Sequence, residues 1–424
     1  MKKKLLCTAL AAVMVLGLCA CGGDEQPAGD NNGESTATGA AFKLGGTGPL
    51  TGSAAIYGVA AKNGAQIAVD EINALGGDIQ FDLRYEDDVN DPEKAVNAYN
   101  TLKDWGMQIS LGSVTSKPGE STSVENNADR IFALTPSASS AANIEGKDNV
   151  FQMCFMDPNQ GSASAQYISE KKLGTKIAVI WKNDDVYSKG IHENFLEKAE
   201  ELGLEIVSDT TFADGNDTDF SVQLADAQNK GADLVFLPMY YQPASLILAQ
   251  AKNMNYAPAW FGVDGMDGIL TMEGFDASLA EGVMLLTPFN ADAEDEKTQA
   301  FVKTYQEKFG EVPNQFAADA YDCVYAYYQA LTNAKAALSN AYLDGVLSVF
   351  FLVMMGVFVV VGIVVVARTF AAGKYGAETT SEEPFVESQW FAPSSLVATA
   401  LEKKVQREYS AKLHELVRNG QVAA

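Results

Sequence analysis

From residue 42 the chain alternates between short apolar runs and longer stretches whose apolar residues recur every third or fourth position. The runs at 42–46, 79–85, 107–111 and 131–134 read as strands. Between the first two, Ala65, Ala68, Val69 and Ile72 share one helical face, and Gly76 and Gly77 close that helix. Asp91, Pro92 and Glu93 begin another: a capping carboxylate, then a proline with no N–H to lose in the first turn. Beyond Asp157 and Pro158 the pattern restarts. Runs at 177–181, 204–207, 234–237 and 260–261 read as strands, separated by helical stretches near 190–202, 220–230 and 244–253. Strand–helix alternation implies parallel sheets covered on both faces. The span exceeds what one such sheet accommodates, so the expectation is an α/β protein of two lobes. Segments 156–160 and 286–289 are the expected hinge crossings.

Both ends depart from this pattern. Lys2, Lys3 and Lys4 precede an apolar run over 5–18, then Leu18, Cys19, Ala20 and Cys21. A positive start, a run too short for a permanent span and a small residue before a cysteine resemble a bacterial lipoprotein signal, with Cys21 as the lipidated residue. Residues 1–20 are then the signal peptide. Residues 21–41, rich in Gly, Asn, Asp, Ser and Thr, read as a flexible tether. At the other end, 345–367 is an apolar stretch long enough to cross a bilayer, with Arg368 and Lys374 behind it. The positive-inside rule places the tail, 368–424, in the cytoplasm. Leu401, Val405, Tyr409, Leu413 and Leu416 line one face of an amphipathic helix in that tail.

Composition narrows the function. The 55 acidic residues outnumber 30 basic ones, for a formal charge of -25, which disfavours nucleic acid as a partner. Once the signal and Cys21 are set aside, Cys154 and Cys323 remain, as two buried thiols or one bridge. His192 and His414 fall on opposite sides of the expected span, so no histidine metal cluster is available. The Asp-rich run at 214–219 imitates a calcium loop, but Ala225 stands where a bidentate Glu is needed. No nucleophile elbow, phosphate loop, zinc helix or dinucleotide fingerprint is present. The expectation is a protein that is not an enzyme and holds no cofactor.

Two loops leaving the C-terminal ends of predicted strands are rich in hydroxyls. One runs Gly112, Ser113, Val114, Thr115, Ser116, Lys117, Pro118; the other Thr135, Pro136, Ser137, Ala138, Ser139, Ser140. Ligands of open α/β sheets sit at such ends, and a following helix offers free N–H groups to an anion. The same serines are equally at home capping helices and filling turns.

From residue 42 to about 336 the chain resembles the substrate-binding protein of a branched-chain amino acid (Leu/Ile/Val-type) ABC transporter. The segments that carry this are Gly48-Pro49-Leu50-Thr51-Gly52, Tyr57-Gly58, Glu71-Ile72-Asn73, Asp87-Asp88 with Asp91-Pro92-Glu93, the two hydroxyl loops, Asp219-Phe220-Ser221 and Tyr321-Asp322, in the family's order. The resemblance implies a periplasmic-binding-protein type 1 fold, with a first lobe at 42–156 and 288–337 and a second at 157–287. It also implies capture of a small neutral amino acid between hinged lobes and delivery to an ABC permease at the outer face of the membrane. Ser116 and Ser139, with backbone at Val114 and Ser137, would bind the carboxylate. Asp264 would bind the ammonium, and Tyr241 is the second-lobe tyrosine. Tyr57, Tyr187 and Phe316 would line the side-chain pocket. For the aromatics core packing is the alternative, and for Asp264 a turn before Gly265. The resemblance stops near Ala336, where family members continue with a helix, a third crossing and final strands. Residues 344–424 match no part of it. They read as a fused anchor, as the wiring of a membrane sensor, or as an unrelated sequence joined to the binding domain.

Overall fold

The computed structural model describes residues 41–336. In the first lobe β1 (Phe42–Gly48), β2 (Phe81–Asp87), β3 (Ile109–Ser113), β4 (Phe132–Thr135) and β5 (Val150–Gln152) form a parallel sheet in the order β2-β1-β3-β4-β5. Helices α1 (Ala55–Ala74), α2 (Pro92–Trp105) and α3 (Ser116–Asp129) connect successive strands. The chain then enters α4 (Asp157–Lys171) and the second lobe. There β6 (Lys176–Lys182), α5 (Val186–Leu202), β7 (Glu205–Phe212), α6 (Ser221–Asn229), β8 (Leu234–Leu237), α7 (Tyr241–Asn253), β9 (Ala259–Gly262) and β10 (Met284–Leu285) give the parallel order β10-β9-β8-β6-β7. Helices α8 (Glu296–Phe309) and α9 (315–336) return to the first lobe, where Tyr327 Oη donates to Ser110 O on β3 at 2.6 Å.

Local sequence explains these elements. Every residue of β8 is buried, as a central parallel strand covered on both faces requires. Asp91 caps α2 by accepting the N–H of Lys94 at 2.9 Å, with Pro92 in the first turn, and Gly106 ends the helix in the left-handed conformation at φ 93. The small face of α1 lets a second helix approach closely. A Cβ on Gly64 would lie 1.9 Å from the carbonyl oxygen of Ala317 on α9.

Each sheet reverses its winding beside its first strand, between β1 and β3 and between β6 and β8. Crevices open at the C-terminal ends of strands at such points. The loops after β1 and β3 therefore face the site from one lobe, and those after β6 and β8 from the other.

Some expectations change. Residues 156–160 are not an extended hinge: Met156 is the N-cap of α4 and Asp157–Gln160 its first turn, so the irregular crossing is 153–156. The strand β5 was not anticipated. The strand expected at 204–207 runs on to Phe212. Cys154 and Cys323 are free, buried thiols. Cys21, the signal, the span at 345–367 and the tail at 368–424 lie outside the described residues. Among the described residues, no helix is long and apolar enough to cross a membrane.

Candidate functional site

Strand β3 delivers Val114, Thr115 and Ser116 to the cleft, and β4 delivers Ser137. The two loops are tied to one another. Ser116 Oγ accepts the N–H groups of Ser139 at 3.1 Å and Ser140 at 3.2 Å, while Ser137 Oγ donates to Val114 O at 2.7 Å. Thr115 is the N-cap of α3 but makes no side-chain cap. Its Oγ1 is buried without a partner and borders the cavity. This hydroxyl, at the mouth of a helix N-terminus, is a free donor.

The second lobe answers with an acid. Asp264 opens a single 3-10 turn directly after β9 and is buried. Its carboxylate accepts the Tyr187 hydroxyl from α5. Its backbone is held as well: the N–H donates to Gln160 Oε1 at 3.3 Å and the carbonyl accepts Gln315 Nε2 at 3.3 Å. Burial pushes the Asp264 carboxyl above its ordinary value; the Tyr187 hydroxyl, the Gln160 and Gln315 amides and the Gly265 N–H oppose that rise. Nearby, burial lifts Asp185 to about 6 against the pull of Lys182 and of Lys117 from the facing lobe.

Between these parts lies a small interlobe cavity, with room for about one water molecule. The first lobe contributes Tyr57, Val114, Thr115, Ser116, Ser137 and Phe316 to its wall, and the second Tyr187, Tyr240, Asp264 and Gly265. Four aromatic rings form one side. Tyr57 stands 4.4 Å from Phe316 and 5.3 Å from Tyr240, and Tyr240 stands 4.8 Å from Tyr187, between ring centroids. Asp264 is the one charged side chain in the wall. Among the described residues no group of three His, Cys, Asp or Glu is arranged to hold a metal ion.

Seven of the expected binding residues thus meet at one cavity: Tyr57, Val114, Ser116, Ser137, Tyr187, Asp264 and Phe316. Two do not border it. Ser139 sends its N–H to Ser116, and its buried Oγ sits beside Asp157 without a formed hydrogen bond. Tyr241 is the first residue of α7; its ring packs edge-on against Tyr57 at 5.0 Å, while its neighbour Tyr240, the N-cap, reaches the cavity. Sequence reasoning missed Thr115, Tyr240 and Gly265. Thr115 stands inside the first hydroxyl loop and Tyr240 beside Tyr241, both at strand-to-helix junctions where chain direction decides which side chain turns inward.

This arrangement suits a ligand with an anionic and a cationic end. Hydroxyls and helix-terminal N–H groups on one lobe can hold a carboxylate, and a carboxylate on the other can hold an ammonium. Only closure brings both within reach, so such a ligand favours the closed form.

The family model for periplasmic binding proteins matches residues 41–346. The Leu/Ile/Val-binding protein homolog 1 of Brucella abortus (strain 2308) is 29% identical over 303 residues, covering 69% of this chain and 77% of that protein. The leucine-, isoleucine-, valine-, threonine- and alanine-binding protein of Pseudomonas aeruginosa is 26% identical over 300 residues, 70% of this chain and 79% of that protein. Among solved structures, the branched-chain amino acid transporter substrate binding protein of Streptococcus pneumoniae, determined in complex with isoleucine, superimposes with a TM-score of 0.64. It is 32% identical, with 68% of this chain and 82% of that chain covered.

Proposed function

The chain belongs to the periplasmic binding protein family, whose members bind solutes without transforming them, and from that premise we propose that it captures a small neutral amino acid of the branched-chain type. One observation carries the reading: the donor loops of the first lobe, Thr115, Ser116 and Ser137, stand across a shared cavity from Asp264, and no Lys or Arg lines that cavity. A zwitterion neutralises Asp264 at one end and fills the free hydroxyl and N–H groups at the other. The aromatic wall of Tyr57, Tyr187, Tyr240 and Phe316 then receives an apolar side chain. The relatives that bind leucine, isoleucine and valine support this ligand class.

Delivery to an ABC permease follows from the same kinship. Anchoring through a lipid on Cys21, at the outer face of the membrane, rests on the basic start, the apolar run and the cysteine position. A thermal-shift panel of the common amino acids tests the ligand class. Isoleucine, leucine and valine should raise the melting temperature, while lysine and glutamate should leave it unchanged. A charged amino acid that stabilises the protein more than isoleucine overturns the reading.

A further inference from the structure

Tyr57 does more than line a wall. It projects from α1 of the first lobe, is fully buried, and makes both of its hydroxyl's hydrogen bonds to backbone of the second lobe. The hydroxyl donates to the Gly265 carbonyl. It also accepts the N–H of Tyr241 at 3.1 Å, a first-turn amide of α7 with no partner inside its own helix. Gly265 makes a further bond through its other backbone group, in the preceding peptide unit. Its N–H donates to the Tyr187 hydroxyl at 2.9 Å, and that hydroxyl donates to the Asp264 carboxylate. Gly265 has no freedom to depart: a Cβ there would stand 2.7 Å from Tyr187 Oη and 2.9 Å from Met239 O.

We propose that the Tyr57 hydroxyl is a ligand-independent latch that holds the two lobes together and, through the Gly265 backbone and Tyr187, positions Asp264 for its ligand. Each hydroxyl has one hydrogen, and every donor points the same way: Tyr241 N–H to Tyr57, Tyr57 to Gly265, Gly265 to Tyr187, Tyr187 to Asp264. The last two bonds, Gly265 N–H to Tyr187 and Tyr187 to Asp264, both point toward the carboxylate, so their polarity favours the ionised acid. Burial pushes the Tyr57 phenol well above its ordinary value, which keeps it a donor at every physiological pH. Because the latch engages two backbone groups and no ligand atom, it favours closure of the empty protein.

The positioning half of this inference rests on the amino acid reading above; the latch half does not. The test compares the ligand-free full chain with Tyr57→Phe, which keeps the ring in the wall and removes the hydroxyl. Hydrogen exchange reads the latch directly, at the Tyr241 amide whose acceptor is Tyr57. In wild type that amide should be protected without ligand, and in Tyr57→Phe it should exchange at least tenfold faster. With isoleucine, the variant should associate faster, because the empty cleft stands open more often, and dissociate about tenfold faster. Equal exchange at Tyr241 in the two proteins, whether slow or fast, overturns the latch. An unchanged isoleucine dissociation rate overturns the positioning role. If isoleucine does not bind at all, the functional reading falls while the exchange result still decides the latch.

Discussion

Ser116 Oγ accepts the backbone N–H of Ser139 at 3.1 Å, and this bond joins the two hydroxyl-bearing loops of the first lobe into one surface. The same oxygen accepts Ser140 N–H at 3.2 Å. The loops leave adjacent strands β3 and β4; the first passes at once into α3, and the second reaches a 3-10 turn at 141–143. A hydroxyl that looks from the sequence like a ligand donor is therefore also the pin of the site's architecture.

Ser116→Ala leaves both buried amides without an acceptor. Each such loss costs about 1–3 kcal/mol. Chemical denaturation should show destabilisation of about 2–6 kcal/mol for the two together, and isoleucine affinity should fall at least tenfold as the second loop relaxes. A variant with wild-type stability and affinity shows the pin is dispensable.

Gly64 is predicted to tolerate no side chain. The clash of a Cβ with Ala317 O at 1.9 Å involves backbone on both sides, so α1 and α9 must separate for it to fit. Overpacking of this kind costs about 1–3 kcal/mol or more. Gly64→Ala should lower the urea midpoint accordingly, although alanine is the better helix former. An unchanged midpoint places the two helices farther apart than described.

Much of this was legible in the chain. Alternating runs located nearly every long strand, because a buried parallel strand must be apolar on both faces. Asp91-Pro92 marks α2 through the Asp91 cap; Asp157-Pro158 begins α4 without one, since Met156 holds the N-cap position, so this dipeptide reads equally as a hinge. Strand β5 escaped because its three residues merge into a longer apolar run at 150–155, where periodicity has no room to register. Tyr240 and Tyr241 are adjacent and chemically identical, so composition cannot say which faces the cleft; the N-cap position of Tyr240 does. Ser139 stands in the hydroxyl motif, but its Oγ lies beside Asp157 of α4 and away from the cavity, a placement invisible to spacing.

Asp88 supplies a pH prediction. It is fully buried at the end of β2; its Oδ1 accepts the Asn90 N–H at 2.9 Å, and its Oδ2 has no partner. Burial lifts its carboxyl from an ordinary value of 3.8 to about 7. The folded protein therefore holds this proton more tightly than the unfolded chain. The stability it lends is complete below about pH 4 and is lost as pH rises toward 7. Asparagine cannot titrate, so Asp88→Asn should match wild type near pH 4 and exceed it by about 4 kcal/mol at pH 8. Denaturation curves at the two pH values decide it: a difference independent of pH contradicts a titrating Asp88.

Calorimetric titration with isoleucine of wild type and Asp264→Asn decides whether Asp264 holds the ammonium of a bound amino acid. Losing one member of a buried charge pair costs about 3–5 kcal/mol. Wild type should bind with measurable heat, and the variant should bind at least a hundredfold more weakly. Absence of binding by wild type to isoleucine, leucine and valine, or equal affinity in the two proteins, contradicts the account.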